Sequence, residues 1–304
     1  MSQTPRLDRV SLSLMFLLAA IWGGSFFFAE IALQEVPPLT ITLHRVFWAV
    51  PILAVIVWAK GIPVPRSAAI WGGYLVMGAL NNALPFSLIF WGQLRIDSGL
   101  ASILNGTSAM LGAVVAGIFL RDEPLTPRKL IGAGLGLLGV AVIMGPTAWT
   151  SFDLGNLAQL AVLAAALSYA IAGVWGRIAL AGQPPLMNAL GMLLGSTVLM
   201  IPVVLVVDGP PDMALSSHVW ASLFGIAALS TALAYVLYFA ILARAGAANL
   251  LLVTLLIPPF AISLGVLILS EQLSAGIWLG FAIIALGFAV TDGRLWALLR
   301  HRAP

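Results

Sequence analysis

Ten stretches of this chain stay apolar for about twenty residues each, the length at which a helix rising about 1.5 Å per residue crosses the hydrocarbon core of a bilayer. They run at about 11–33, 39–59, 68–92, 98–119, 128–145, 154–175, 186–207, 218–241, 247–270 and 273–292. The breaks are short and rich in helix-ending residues: Pro37-Pro38, Lys60-Gly61, Arg95-Ile96-Asp97, Arg121-Asp122-Glu123-Pro124, Gly145-Pro146, Pro184-Pro185, Asp208-Gly209-Pro210-Pro211 and Glu271-Gln272. Lipid offers the backbone no hydrogen bonds, so such runs must be helices. Of the 304 residues 61% are hydrophobic and 8% charged, where a soluble domain carries about a quarter charged. Soluble enzymes, disordered chains and nucleic-acid binders are excluded on that ground. The expected fold class is all-α integral membrane, with ten transmembrane helices. The first run follows Arg6 and Arg9, as a secretory signal would, but its length and its bulky Trp22 and Phe26-Phe27-Phe28 read as a retained span.

The cations set an orientation. With the N-terminus in the cytoplasm, inside segments hold 12 of the 14 Lys and Arg, from Arg6, Arg9 and Lys60 through Arg128 and Lys129 to Arg294, Arg300 and Arg302. Arg95 falls outside, and Arg45 lies within a span. Glu35, Asp97, Asp153, Asp208, Asp212 and Glu271 all fall outside. An even number of spans with both termini cytoplasmic satisfies the positive-inside rule, and dropping one span would break the asymmetry. The expected location is a membrane crossed many times, with both termini cytoplasmic.

The chain also repeats itself. Pro37-Pro38-Leu39 recurs 147 residues later as Pro184-Pro185-Leu186, and Glu123-x-Leu125 recurs 148 residues later as Glu271-x-Leu273. At the second offset Gly117/Gly265, Gly132/Gly280 and Gly139/Gly287 also coincide. Residues 1–146 and 147–304 would then each hold five spans. Five is odd, so the second half enters the membrane inverted, and two inverted halves around a central cavity are a device of secondary transporters.

Five-plus-five spans, Trp22-Gly23-Gly24-Ser25 in the first, Arg45 in the second, and Glu123-Pro124-Leu125 and Glu271-Gln272-Leu273 closing the halves resemble the drug/metabolite transporter superfamily, in its EamA-type branch. Within it the chain is most similar to bacterial exporters of aromatic and other neutral amino acids. The resemblance implies a basket of ten helices in which the third, fourth, eighth and ninth line the cavity. The first and sixth contribute to it, while the fifth and tenth pack away from it.

Polar groups inside a membrane are costly, which singles out a few side chains. Substrate contacts are expected from Trp22, Asn82, Phe86, Asn105, Ser108, Tyr169, Tyr235 and Tyr238. Amides, hydroxyls and aromatic faces of this kind can hold a zwitterion and its side chain. The competing reading is helix–helix glue, a common use of Ser, Thr and Asn in membranes. Arg45 lies seven residues past Pro38, roughly 10 Å along the helix. It either neutralises Glu30 structurally or meets a substrate carboxylate while Glu30 carries a proton; beside it, His44 bonds locally or snorkels. Pro85 and Pro258-Pro259 are expected to interrupt the third and ninth helices as gates or simple bends. Gly132, Gly134, Gly136 and Gly139 read as a close-packing face, internal or between subunits.

The function expected is export of small neutral metabolites, amino acids including aromatic ones, by alternating access; other metabolites or cationic drugs are the alternatives. A cationic cargo would want an acid at mid-span, which the first helix lacks. No nucleotide-binding loop, Cys or His cluster points to an enzyme, and no metal or cofactor is expected. A membrane scaffold is the reading from another class. Expected partners are the substrate and the lipid bilayer, with the protein a monomer or weak dimer.

Overall fold

The computed structural model describes residues 8–121, 125–144, 154–245, 250 and 253–292. Glu123, Pro124, Asp153, the 146/147 boundary and the terminal Arg6, Arg294, Arg300, His301 and Arg302 lie outside these residues. Among the described residues the chain is helical, without strands: α1 (Arg9–Ala32), α2 (Pro38–Ala59), α3 (Ala68–Gln93), α4 (Ser98–Phe119), α5 (Pro127–Met144), α6 (Leu154–Ala179), α7 (Pro185–Val207), α8 (Ser217–Ala245), α9 (Val253–Ile268) and α10 (Ala275–Asp292). Seven of these, α1–α4 and α6–α8, are long and apolar enough to cross a membrane; Leu256–Ile268 and Ala275–Val290 are shorter apolar stretches. Large apolar side chains are exposed along most of these helices, Trp58, Val206 and Leu267 at 81%, 84% and 81% among them, an extent of apolar surface that suits lipid.

Local chemistry sets the ends. Asp8 caps α1 by accepting Ser11 N–H at 2.7 Å, and prolines open α2 and α7, where a missing N–H costs nothing. Gly61 and Gly209, just past the ends of α2 and α7, hold φ of 61° and 83°, a left-handed turn that glycine takes without a Cβ clash. α6 and α8 run about four residues beyond their expected ends. Arg177 and Arg244 lie in their last turns, where the helix carbonyls favour a cation. The expected interruption at Pro258-Pro259 is corrected: α9 continues through both prolines.

Antiparallel pairs build the bundle. α1 and α8 are joined at one end by Asp8 and Arg244 (3.1 Å) and at the other by Glu35, which accepts Ser216 N–H at 2.9 Å. α2 and α7 meet where Asp208 accepts both the N–H and the hydroxyl of Thr40, at 3.1 and 2.7 Å. α4 packs on α9 and α6, α1 on α9, and α3 on α6 and α7. α5 packs chiefly on α10, and of its four glycines Gly132 and Gly139 serve that internal contact, Gly136 faces Met110 of α4, and Gly134 meets open space. A Cβ on Gly139 would lie 2.7 Å from Gly280 O, and one on Gly287 would lie 2.6 Å from Gly132 O. Only glycine lets two helix backbones approach that closely.

Candidate functional site

The two helices expected to line the site are irregular at their centres. In α3, residues Ala79–Ala83 form a π-helical segment in which Leu84 N–H bonds Ala79 O. The Leu80 carbonyl is left free of that donor and accepts the Ser168 hydroxyl of α6 at 2.6 Å. Pro85 follows directly, and its missing N–H makes the local change of helix register cheap. In α8, Gly225–Leu233 is likewise π-helical: Ala234 N–H reaches back to Leu229 O. There the Ser230 carbonyl accepts Arg45 Nη2 at 3.4 Å.

Arg45 does not pair with Glu30, and that expected ion pair is corrected. The guanidinium is buried and donates from Nε to Thr231 Oγ1 and from Nη1 to Ser25 Oγ, both at 3.0 Å. Its Cζ lies 3.6 Å from the centre of the Phe86 ring, a cation–π contact. Glu30 is held by Gln93, whose amide donates to it at 3.1 Å and to Phe26 O at 2.9 Å. His44 bonds locally, its Nδ1 accepting Trp48 Nε1–H at 3.0 Å.

Beyond Phe86 the expected residues converge. Tyr169 meets the Phe86 ring at 6.5 Å. One turn past Thr231 on α8, the Tyr235 hydroxyl donates to Asn82 Oδ1 at 3.1 Å and accepts from Asn81 at 3.3 Å. Asn82 is fully buried and donates to Ser196 Oγ on α7 at 2.9 Å. Tyr235 stacks on Phe239, which meets Tyr238 edge-on, and Tyr238 lies 6.0 Å from Trp22. Trp22, Tyr169, Tyr235 and Tyr238 are half-buried rather than sealed. Asn105 and Ser108 are not brought into this hydrogen-bonded network among the described residues. Asn105 Oδ1 is buried without a partner among the described residues, and Ser108 follows a break in α4 at Thr107.

A cavity of about 470 Å³ opens away from this cluster, at the bundle end where α1, the α3–α4 turn and the α9–α10 turn meet. Glu30, Gln34, Asp97, Ser270, Glu271 and Gln272 give it an acidic wall. Glu271 accepts Ser98 N–H at 2.8 Å and Gly99 N–H at 3.1 Å, so its carboxylate caps α4 from across the bundle. Partial burial, and then the nearby Glu271 charge, push the Asp97 carboxyl above its ordinary pKa. No cluster of His, Asp and Glu suited to a metal ion occurs among the described residues.

Gln93, Ser196 and Phe239 complete these networks and were missed from sequence. The first two carried a usable signal, since each is a polar residue inside an apolar run. The chain is 26% identical to the uncharacterized transporter YoaV of Bacillus subtilis (strain 168), over 88% of this chain and 91% of that one. It is 24% identical to the probable amino-acid metabolite efflux pump of Escherichia coli (strain K12), over 90% of this chain and 95% of that one. A protein of known crystal structure shares the fold at a TM-score of 0.68 and 19% identity, covering 98% of this chain and 100% of its own. The model of the EamA-like transporter family matches residues 9–145 and again 156–291. The chain therefore belongs to the EamA-like transporter family, within the drug/metabolite transporter superfamily.

Proposed function

We propose that this protein is a secondary transporter exporting small neutral metabolites, chiefly amino acids including aromatic ones, across a bacterial inner membrane by alternating access. It would cross the membrane ten times, as two inverted five-helix repeats (residues 1–146 and 147–304) with both termini cytoplasmic. Several pairings support the repeat. The left-handed glycines Gly61 and Gly209 are 148 residues apart, and the π segment Ala79–Ala83 maps at that offset inside Gly225–Leu233. Gly139 faces Gly280 while Gly132 faces Gly287, so each contact is the image of the other. The repeat-related α2 and α7 run antiparallel, as inversion demands.

The observation that carries the transport reading is the contact between Asn82 and Tyr235 across the paired irregular helices, with half-buried aromatic rings on either side. Polar groups on broken membrane helices are where transporters bind cargo. Amides, hydroxyls and aromatic faces suit an amino acid, and the Escherichia coli relative is named for amino-acid efflux. Cationic drugs find no matching acid among the described residues of this cluster. Pro85, directly after the π segment of α3, is the proposed bending point, because it removes a ladder hydrogen bond.

The test is flux of labelled aromatic amino acids into liposomes holding the purified protein, with and without a proton gradient. Flux should exceed that of empty liposomes and fall at least ten-fold in Tyr235→Ala, with the variant still folded. Unchanged flux in Tyr235→Ala would sink this site, and a scaffold would give no flux in either protein.

A further inference from the structure

Arg45 is a full charge in an interior that gives it only dipoles. Three of its five N–H groups are used, on the Thr231 hydroxyl, the Ser25 hydroxyl and the Ser230 carbonyl, leaving one on each terminal nitrogen without a partner among the described residues. The acceptors are neutral. Thr231 is committed in a second direction, since its own hydroxyl hydrogen goes to Ile226 O at 2.9 Å. One face of the guanidinium is covered by Phe86. The acid five residues along α1 from Ser25 is Glu30, and it is occupied by Gln93 at the bundle end. A buried charge is stabilised only when paired, so the arrangement lacks an anion.

From this we infer that Arg45 is the anchor for a carboxylate on the transported molecule, and that the cargo class is small monocarboxylates with an apolar or aromatic body. The inference rests on the transport reading above and sharpens it: the carboxylate is required and the ammonium group is not. Two oxygens of one carboxylate match two N–H groups of a guanidinium fork, which is why arginine selects that group. A single cation neutralises a monoanion and would leave a phosphate dianion with excess charge. No carboxylate among the described residues touches Arg45, Phe86, Tyr169 or Tyr235 to hold an ammonium. The position 147 residues after Arg45 is Met192, which touches Asn81 at 3.6 Å and lies on the side of Tyr235 and Asn82. The cluster thus has one cationic end and one soft, uncharged end, and a molecule with one acid and one apolar end fits it in a single direction.

Four compounds that differ only in their head groups test this on the purified full chain: phenylalanine, 3-phenylpropionate, phenylalaninamide and phenethylamine. Binding is read by thermal shift, and transport by uptake into liposomes. Phenylalanine and 3-phenylpropionate should stabilise the wild type and be carried, while the amide and the amine should be at least ten-fold weaker. Arg45→Lys should keep that order with lower affinity, and Arg45→Gln should abolish the preference. Equal affinity for phenylalanine and its amide in the wild type overturns the inference, without relying on the folding of any variant. So does a carboxylate preference that survives in Arg45→Gln. If 3-phenylpropionate binds and phenylalanine does not, the amino-acid reading falls and the carboxylate anchor stands. If no compound binds, leucine, 4-methylpentanoate, leucinamide and 3-methylbutylamine decide it: failure of both carboxylates there, in folded protein, overturns the anchor as well.

Discussion

Replacing Glu271 with alanine should loosen α4 from α9 by an amount that follows from two hydrogen bonds. The carboxylate accepts Ser98 N–H at 2.8 Å and Gly99 N–H at 3.1 Å, and both of those residues are buried. A hydrogen bond to a charged group contributes about 1.5–3 kcal/mol, so the pair contributes about 3–6 kcal/mol. Placement of an anion at a helix N-terminus adds about 0.3–1 kcal/mol. Glu271 also lines the cavity at the bundle end, so water can reach the freed amides, and the low end of the range applies. The expected loss is about 3 kcal/mol for Glu271→Ala and about half that for Glu271→Gln, which keeps one carbonyl acceptor. Gln272→Ala, at an exposed neighbouring position, should cost less than about 0.5 kcal/mol. Reversible unfolding in mixed micelles, titrated with sodium dodecyl sulfate and followed by tryptophan fluorescence, measures all three. If Glu271→Ala matches Gln272→Ala, the amides are satisfied by water and the carboxylate is a bystander. If the glutamine variant falls as far as the alanine variant, charge rather than the count of acceptors holds the junction.

The same titration tests the α5–α10 crossing. A side chain at Gly139 would strike Gly280 O and Ile284 Cγ1, both 2.7 Å from its Cβ, so Gly139→Leu should cost about 1–3 kcal/mol or more, whereas Gly134→Leu, which meets open space, should not destabilise. Equal effects at the two positions would remove the packing argument. Asp97 should produce a pH dependence of definite sign. Its carboxyl is held above the ordinary value by burial and then by Glu271, so the folded state binds the proton more tightly than the unfolded chain does. Stability should therefore fall as pH rises from the unfolded value through the folded one. Asp97→Asn, which preserves a good N-cap residue, should flatten that fall and raise the thermal midpoint at pH 7. An unchanged slope between pH 4 and pH 7 would assign the dependence to another group.

Helix positions were legible because span length and punctuation are local properties. Pro38, Pro185 and the glycines after α2 and α7 could be read one residue at a time. The register of the interior was not. From sequence, Pro85 and Pro258-Pro259 look alike, yet only the first adjoins a π segment; α9 absorbs both of its prolines without a break. The partner of Arg45 was misread for a related reason. Glu30 is the acid nearest in the chain, and complementary charge made the pair attractive. The choice was decided by Gln93, which comes from α3 and claims Glu30, and by Thr231, which comes from α8 and meets Arg45. Each is a tertiary fact with no trace in local spacing. Asn82 and Tyr235 were found because the cost of a polar group in lipid is legible from sequence even when its partner is not.

The two halves differ at Arg45 and Met192, where the proposed chemistry lies, and this separates permanent contacts from those that must be remade. If the repeats exchange conformations during transport, each contact becomes its repeat-related counterpart. The glycine contacts between α5 and α10 map onto each other, so they survive the exchange unchanged and can act as a fixed axis. The contact of Arg45 with the π segment of α8 has no such image. Its counterpart is a methionine against Asn81 on the π segment of α3, with a weak 3.6 Å contact where Arg45 donates to Thr231 at 3.0 Å and to Ser230 O at 3.4 Å. Exchange therefore changes the geometry around Arg45 while leaving the scaffold intact. A ligand anchored on that cation would feel different surroundings in the two states, and that difference is what would let it shift the balance between them.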